Sequence, residues 1–193
     1  MAIRGFIFDL DGVITDTAEH HYRAWKQLAD ENGWEFDRAA NEKLRGVSRR
    51  ESLLLLLGPR VGDYTEAQLQ AFMERKNNYY LRSVREISPK DILPGAKELV
   101  IGSRANGAKI ALGSASKNAR QVLDSLCIGS LFDAISDGNS VKNPKPAPDL
   151  FLLAAERMGV APADCLVFED SLLGITAAER AGMGAVLVAR PQP

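Results

Sequence analysis

Short apolar runs that end abruptly in polar residues recur along this chain, and they restrict the kind of fold it can adopt. The first is Gly5-Phe6-Ile7-Phe8, and further strand candidates fall at 109–113, 134–136, 165–168 and 185–189. The first run has no polar alternation, as expected of a strand buried on both faces of a parallel sheet. Helical segments at 95–106, 117–127, 149–158 and 172–181 fall before and between the later strands, supplying the right-handed crossovers that parallel pairing requires. The pattern predicts the α/β class, as a doubly wound parallel sheet with a Rossmannoid core.

One block breaks this alternation. Residues 17–88 read as all helix and are inserted between the first strand and the first sheet-packing helix. Ala18, Tyr22, Trp25 and Ala29 form one apolar face, with Gly33 as a stop, and a turn or helix follows Asp37. Ser48-Arg49-Arg50-Glu51 has capping-box spacing ahead of the leucines at 53–57. Thr65-Glu66-Ala67-Gln68 repeats the device ahead of Leu69, Phe72, Met73 and Tyr80. Ser88-Pro89 and Leu93-Pro94-Gly95 end the helical pattern. The expected organisation is a core domain of residues 1–16 and 89–193 with a helical cap domain of residues 17–88.

The bulk properties exclude other classes. With 193 residues, 46% of them hydrophobic, and a net charge of -1, the chain buries roughly 70% of its unfolded surface as one domain plus a small insertion. The longest apolar run, at 53–57, is far short of the ~20 residues a membrane span needs, and Met1-Ala2-Ile3-Arg4 lacks a signal peptide's apolar region. A cytoplasmic protein with no membrane partner is expected. No basic run with interleaved aromatics points to nucleic acid, and a monomer is expected. Cys127 and Cys165 sit in apolar contexts without metal-ligand spacing, so both are expected to be reduced, buried and inert.

The chemistry is carried by polar residues that follow the strands. Phe8-Asp9-Leu10-Asp11-Gly12-Val13 places two carboxylates where the first strand runs out, with Gly12 allowing a turn. Ligands in such sheets gather at the carboxyl ends of strands, and two ionised groups there need a cation or hydrogen bonds to offset them. Ser114-Ala115-Ser116-Lys117-Asn118 follows the second strand, with hydroxyls and N–H groups where a helix begins, an arrangement suited to an anion. Lys145 is held in the proline-stiffened run Pro144-Lys145-Pro146-Ala147-Pro148, and Glu169-Asp170 follows the fourth strand. Singly, these could be helix caps or solvated loop residues. Together, two acid pairs, a hydroxyl and a lysine at one sheet edge describe a site.

In this order, Asp9-Leu10-Asp11-Gly12, Ser114, Lys145 and Glu169-Asp170 resemble the four signature elements of the haloacid dehalogenase superfamily, across essentially the whole chain. The segments from Asp9 to Thr17, Gly46-Val47-Ser48-Arg49, Arg75-Lys76-Asn77 and Ser114 to Asn118 resemble its sugar-phosphate mutase branch. That branch interconverts β-glucose 1-phosphate and glucose 6-phosphate through the 1,6-bisphosphate. The resemblance implies Asp9 as nucleophile forming an aspartyl phosphate, Asp11 as general acid and base, and Ser114 and Lys145 as phosphoryl-oxygen ligands. It implies Mg2+ held by Asp9, the backbone carbonyl of Asp11 and Asp170, with Glu169 in support. Arg49, with Ala115, Ser116, Lys117 and Asn118 from the core loop, would hold the phosphate that is not being transferred, and Arg49 suits this because its planar donors grip phosphate oxygens in pairs. His21, Trp25, Leu44, Gly46, Val47, Ser52 and Lys76 resemble sugar-facing cap positions, although Trp25 and Leu44 could equally be cap core. The implied partners are small sugar phosphates, and the cap is expected to close over a bound bisphosphate.

Three other readings stay open. A phosphatase of the same fold would release inorganic phosphate, a dehalogenase needs neither Asp11 nor magnesium, and a noncatalytic sensor needs neither Asp9 nor Asp11. The chain ends at Ala189-Arg190-Pro191-Gln192-Pro193, where members of the superfamily usually continue through another strand and helix. An unpaired apolar edge at 185–189 is therefore expected to lower stability.

Overall fold

The computed structural model describes residues 3–44 and 46–189, and the expectations placed on Met1, Ala2 and residues 190–193 lie outside them. By contacts, the chain divides into two compact units, residues 1–16 with 87–193 and residues 17–86.

The first unit is built on five parallel strands in the order β3-β2-β1-β4-β5. They are β1 (Gly5–Phe8), β2 (Lys109–Gly113), β3 (Ala134–Ser136), β4 (Cys165–Glu169) and β5 (Gly184–Leu187). Four of the spans expected from sequence agree within a residue. β5 departs furthest: it begins at Gly184, directly after the turn at Gly182 (φ 71), and pairs only as far as Leu187. Beyond it, the Val188 N–H still donates to the Glu169 carbonyl at 2.7 Å. Val186 and Leu187 are exposed along this outer strand.

Alternate residues of the sheet, Ile7, Ala111, Ala134, Cys165 and Val167, pack against two helices, α7 (Asp149–Met158) and α8 (Leu172–Arg180). Phe151, Ala154 and Ala155 of α7 and Ala177 and Ala178 of α8 complete this core. Fully burying a side chain the size of Phe151 contributes roughly 1.5–3 kcal/mol. Two further crossover helices, α5 (Ala96–Ala105) and α6 (Ala119–Ser125), precede β2 and β3.

The two cysteines behave differently. Cys165 is fully buried, and burial pushes its thiol up to about 11. Cys127 is exposed, which corrects the expectation that both are buried. Its neighbours Leu126 and Ile128 take the interior positions, and Cys127 adopts a left-handed conformation (φ 54) between them.

Residues 17–86 form the helices α1 (Ala18–Glu31), α2 (Arg38–Glu42), α3 (Arg49–Leu57) and α4 (Glu66–Val84). Both capping boxes are present: Ser48 pairs with Glu51, and Thr65 pairs with Gln68. Asp37 caps α2 by accepting from the Ala40 N–H at 2.7 Å. Such caps are worth about 1 kcal/mol each. Trp25, Leu28, Trp34, Phe36, Leu53, Leu57, Leu69 and Met73 make this unit's own core. Leu55 is exposed, because five consecutive leucines cannot all face one side of a helix. No helix of the described residues is long and apolar enough to cross a membrane.

The segments leading into and out of the helical block lie side by side. Thr15 bridges to Ile92, the Leu93 N–H donates to the Ile14 carbonyl at 2.9 Å, and the Thr15 hydroxyl donates to the Asp91 carbonyl at 2.7 Å.

Candidate active site

β1 is the central strand, so its carboxyl end opens between β2 and β4, where the connections leave in opposite directions. Asp9 stands just past that end, held by its own N–H donating to the Phe168 carbonyl at 2.9 Å, and it is 6% exposed. The chain then folds into a tight turn. The N–H groups of Ile14 and Thr15 donate to the Leu10 carbonyl, and Gly12 takes a positive φ of 85 while its N–H donates to the Thr15 carbonyl at 2.7 Å. Asp11 is carried half-buried on this turn, near enough for its charge to act on Asp9.

Lys145 reaches the same point from the loop before α7. Its Nζ is 2.8 Å from Asp9 Oδ1 and also donates to Glu169 Oε1, and all three side chains are nearly or fully buried. Glu169 ends β4 and is fixed from behind: its Oε2 accepts from both the N–H and the hydroxyl of Ser171, each at 2.9 Å. One lysine therefore serves two buried carboxylates. Burial works against the Lys145 charge, but Asp9 and Glu169 outweigh it and raise its pKa. Burial would also raise Glu169, yet Lys145 and the bonds from Ser171 outweigh it and hold that carboxyl below its usual value. Asp9 gains less. Burial drives it well above the usual carboxylate range, Lys145 opposes this, and Glu169 and Asp11 push it further up.

That imbalance calls for a second cation. Asp9, Glu169 and Asp170 each offer an oxygen, and these oxygens lie within 4.8 Å of one another. The donors are all hard oxygens, the set that suits Mg2+ or a similar divalent ion. The residues present thus fit a metal centre.

Gly174 makes this arrangement possible. Its N–H donates to the Ser171 hydroxyl at 3.1 Å, and a Cβ at position 174 would lie 2.0 Å from the Glu169 carboxyl carbon. Gly174→Ala should displace Glu169 and with it Lys145. Overpacking of this kind costs about 1–3 kcal/mol, and at about 2–4 °C per kcal/mol for a chain of this size a melting temperature lower by roughly 2–12 °C is expected. Weaker metal binding by calorimetric titration should accompany it; an unchanged melt with unchanged metal affinity would show that Glu169 is not constrained from this side.

The loop after β2 lies one strand away. Ser114 is 1% exposed, and its N–H donates to the Ser136 carbonyl at 3.0 Å. Its hydroxyl accepts from the Ser116 N–H at 3.1 Å, and the Ser116 hydroxyl accepts from the Asn118 N–H at 3.2 Å. Because Phe8 pairs with Leu112, Ser114 sits just beyond the strand position level with Asp9. α6 starts at Ala119, two residues later than the sequence pattern indicates, because residues 114–118 are committed to these loop bonds.

In the helical unit, His21, Trp25, Lys76 and Tyr80 form a buried polar cluster. Lys76 Nζ is 2.7 Å from His21 Nδ1 and 5.0 Å from the ring centres of both Trp25 and Tyr80, while His21 stacks on Tyr80 at 4.1 Å. Burial, reinforced by Lys76, keeps the His21 pKa well below its usual value, so the ring is neutral and Nδ1 accepts from the ammonium. Trp25 is 3% exposed and belongs to the core of this unit, and Leu44 packs on the same core. Arg49 opens α3, half-buried, with no carboxylate at ion-pair distance among the described residues, and burial lowers its pKa. Ser52 is buried on the same helix, and Gly46 turns with a φ of 69 just ahead of Val47.

The structure thus brings Asp9, Lys145, Glu169 and Asp170 together. It groups His21 with Lys76 and Trp25 separately. Sequence reasoning passed over Ser171 and Gly174, although Ser171-Leu172-Leu173-Gly174 carries a legible helix-start spacing.

A parallel sheet of this order, with a carboxylate pair after its central first strand and a lysine bridging to a second pair, holds the parts that phosphoryl transfer needs: a carboxylate nucleophile, a fixed cation and oxygen donors for a metal. The sequence profile of the haloacid dehalogenase-like hydrolases matches residues 3–182, and the chain belongs to that family. Among individual proteins, it is 45% identical to the beta-phosphoglucomutase of Bacillus subtilis, over 99% of this chain and 85% of that one. It is 35% identical to a fructose-1-phosphate phosphatase of Escherichia coli over 94% of each chain. The crystal structure of beta-phosphoglucomutase from Clostridium difficile matches with a TM-score of 0.93 and 46% identity, covering 96% of this chain and 84% of that one.

Proposed function

We propose that this chain is a Mg2+-dependent β-phosphoglucomutase, interconverting β-glucose 1-phosphate and glucose 6-phosphate through the 1,6-bisphosphate. One observation carries the transfer chemistry: a buried lysine joins Asp9 to Glu169 with Asp170 alongside, on the strand end that also bears Asp11. The likeness to the Bacillus subtilis mutase favours this reading over a phosphatase.

Asp9 is the nucleophile. Its free carboxylate oxygen attacks phosphorus, the bond from phosphorus to the sugar oxygen breaks, and the departing oxygen takes a proton from Asp11. In the return half, Asp11 takes the proton of the incoming sugar hydroxyl, which attacks the aspartyl phosphate and frees Asp9. Lys145 and Ser114 hold the transferring phosphoryl oxygens, and the lysine's charge counts most as negative charge develops there. Asp9, Asp170 and the Asp11 carbonyl would hold Mg2+ with Glu169 in support; when bound, the ion lowers the repulsion between phosphate and carboxylates. Arg49 binds the phosphate that is not transferring, aided by Ala115, Ser116, Lys117 and Asn118. His21, Trp25, Gly46, Val47, Ser52 and Lys76 serve the sugar, with Trp25 doing so through the buried cluster it shares with Lys76. In this reading residues 17–88 act as a cap, and a cytoplasmic monomer needs no partner beyond sugar phosphates.

The test is phosphorus NMR of the protein with Mg2+, β-glucose 1-phosphate and a trace of the bisphosphate. Growth of the glucose 6-phosphate resonance is expected. Release of inorganic phosphate without isomerised sugar would replace the mutase with a phosphatase.

Arg49 separates the two further. Arg49→Ala should slow transfer between sugar phosphate and phosphoenzyme by roughly 10- to 100-fold, as expected for loss of a charge-assisted contact of 1.5–3 kcal/mol. Hydrolysis of acetyl phosphate, which has no second phosphate to grip, should be spared. Equal losses on both substrates would remove Arg49 from the distal site.

A further inference from the structure

The loop after β3 makes contacts that the transfer chemistry does not use. Asp137 folds it: Asp137 Oδ1 accepts from the Asn139 N–H at 3.0 Å and from the Ser140 hydroxyl at 2.9 Å. So organised, the loop presses on the one after β2. The Gly138 N–H donates to the Ser116 carbonyl at 3.2 Å, and Asn139 Nδ2 donates to the Lys117 carbonyl at 2.8 Å. The approach is close enough that a Cβ at position 138 would lie 2.3 Å from the Ala115 carbonyl oxygen. Ser114 is held differently, by the Ser136 carbonyl at the end of β3 itself.

We infer that Gly138 and Asn139 are positioning residues, which brace the carbonyls of Ser116 and Lys117 and so aim the remaining donors of residues 115–118 at the nontransferring phosphate. Backbone carbonyls turned toward phosphate would repel it. Tying two of them to Gly138 and Asn139 keeps those carbonyls off the anion; with the Ser116 and Asn118 N–H groups already bonded inside the loop, the donors left to face it are the Ser116 hydroxyl, the Lys117 side chain and the Ala115 and Lys117 N–H groups. A preordered loop also lowers the entropic cost of binding. The inference rests on the distal-phosphate role proposed above, but the brace itself can be read without substrate.

Asn139 is exposed, so Asn139→Ala should leave the melting temperature unchanged. Asn139→Asp keeps the size and loses the donor, so it should behave as the alanine variant does. Both should raise KM for β-glucose 1,6-bisphosphate roughly five- to tenfold, the expected effect of one lost hydrogen bond, with kcat within twofold. Acetyl phosphate hydrolysis, which uses Ser114 and Lys145, should not change. In the substrate-free protein, amide order parameters at Lys117 and Asn118 should fall. Gly138→Ala supplies a second variant and should reproduce the KM effect through displacement of Ala115. Unchanged order parameters would overturn the brace, as would equal losses on both substrates or an unchanged KM. Loosened amides with no mutase activity in the parent protein would instead leave the brace standing and defeat the proposed function.

Discussion

Asp9→Asn should abolish turnover while leaving the protein folded and, without metal, more stable. An amide cannot attack phosphorus, and removing the nucleophile of a covalent mechanism costs on the order of 10⁶-fold. Stability should move the other way, because burial holds the Asp9 pKa above its unfolded value. An acid shifted in that direction loses stability as pH rises from its unfolded pKa through its folded one. The amide removes that loss, so the gain in melting temperature should be present above about pH 4 and vanish below it. Lys145 keeps Glu169 as its partner in the variant. Saturating Mg2+ should reverse the order, since the parent carboxylate binds the ion better than the amide. Residual mutase activity above one part in about 10⁴ would rule out the aspartyl phosphate, and a lower melting temperature in the metal-free variant would overturn the account of a strained Asp9.

Asp11→Asn should produce the second-largest loss by a different route. The backbone carbonyl assigned to the metal survives the change, so Mg2+ affinity should hold within a few-fold. Proton transfer should not survive, and general acid and base terms are worth roughly 10²- to 10⁴-fold. The effect should depend on the leaving group: a donor with a good leaving group, such as acetyl phosphate, needs little protonation and should still phosphorylate Asp9. A loss of less than tenfold on glucose phosphates would assign the proton to another group.

Most of this site was legible because its residues follow strands whose apolar runs are unambiguous. Phe6-Ile7-Phe8 and Leu166-Val167-Phe168 announce β1 and β4, and the residues after them are therefore placed at the sheet's carboxyl edge. Lys145 was readable for another reason, since the prolines around it leave few backbone options. What could not be read depends on distance across the chain. Gly138 and Gly174 are glycines because Ala115 and Glu169 crowd them, and nothing local reveals the neighbour. Cys127 misled because an apolar context predicts burial of the stretch, while a single left-handed residue removes one side chain from it. Trp25 stayed open for the opposite reason. A helix period marks it as inward-facing, but only the structure adds the ammonium of Lys76 over its ring.

The strand order also bears on how the chain reaches its native state. β1 emerges first, yet its partners are the strands that begin at Lys109 and Cys165. Such high contact order slows folding, because a long loop must close before any pairing rewards it. The clasp of Ile14 and Thr15 with Asp91, Ile92 and Leu93 changes that reckoning. It ties off the helical block at its neck, and with the neck fastened the effective loop between β1 and β2 shrinks to a few turns of chain. Each halving of a flexible loop recovers about 0.6 kcal/mol. An insertion that carries its own core and is closed at its base thus adds length to the gene with little added delay in assembling the sheet.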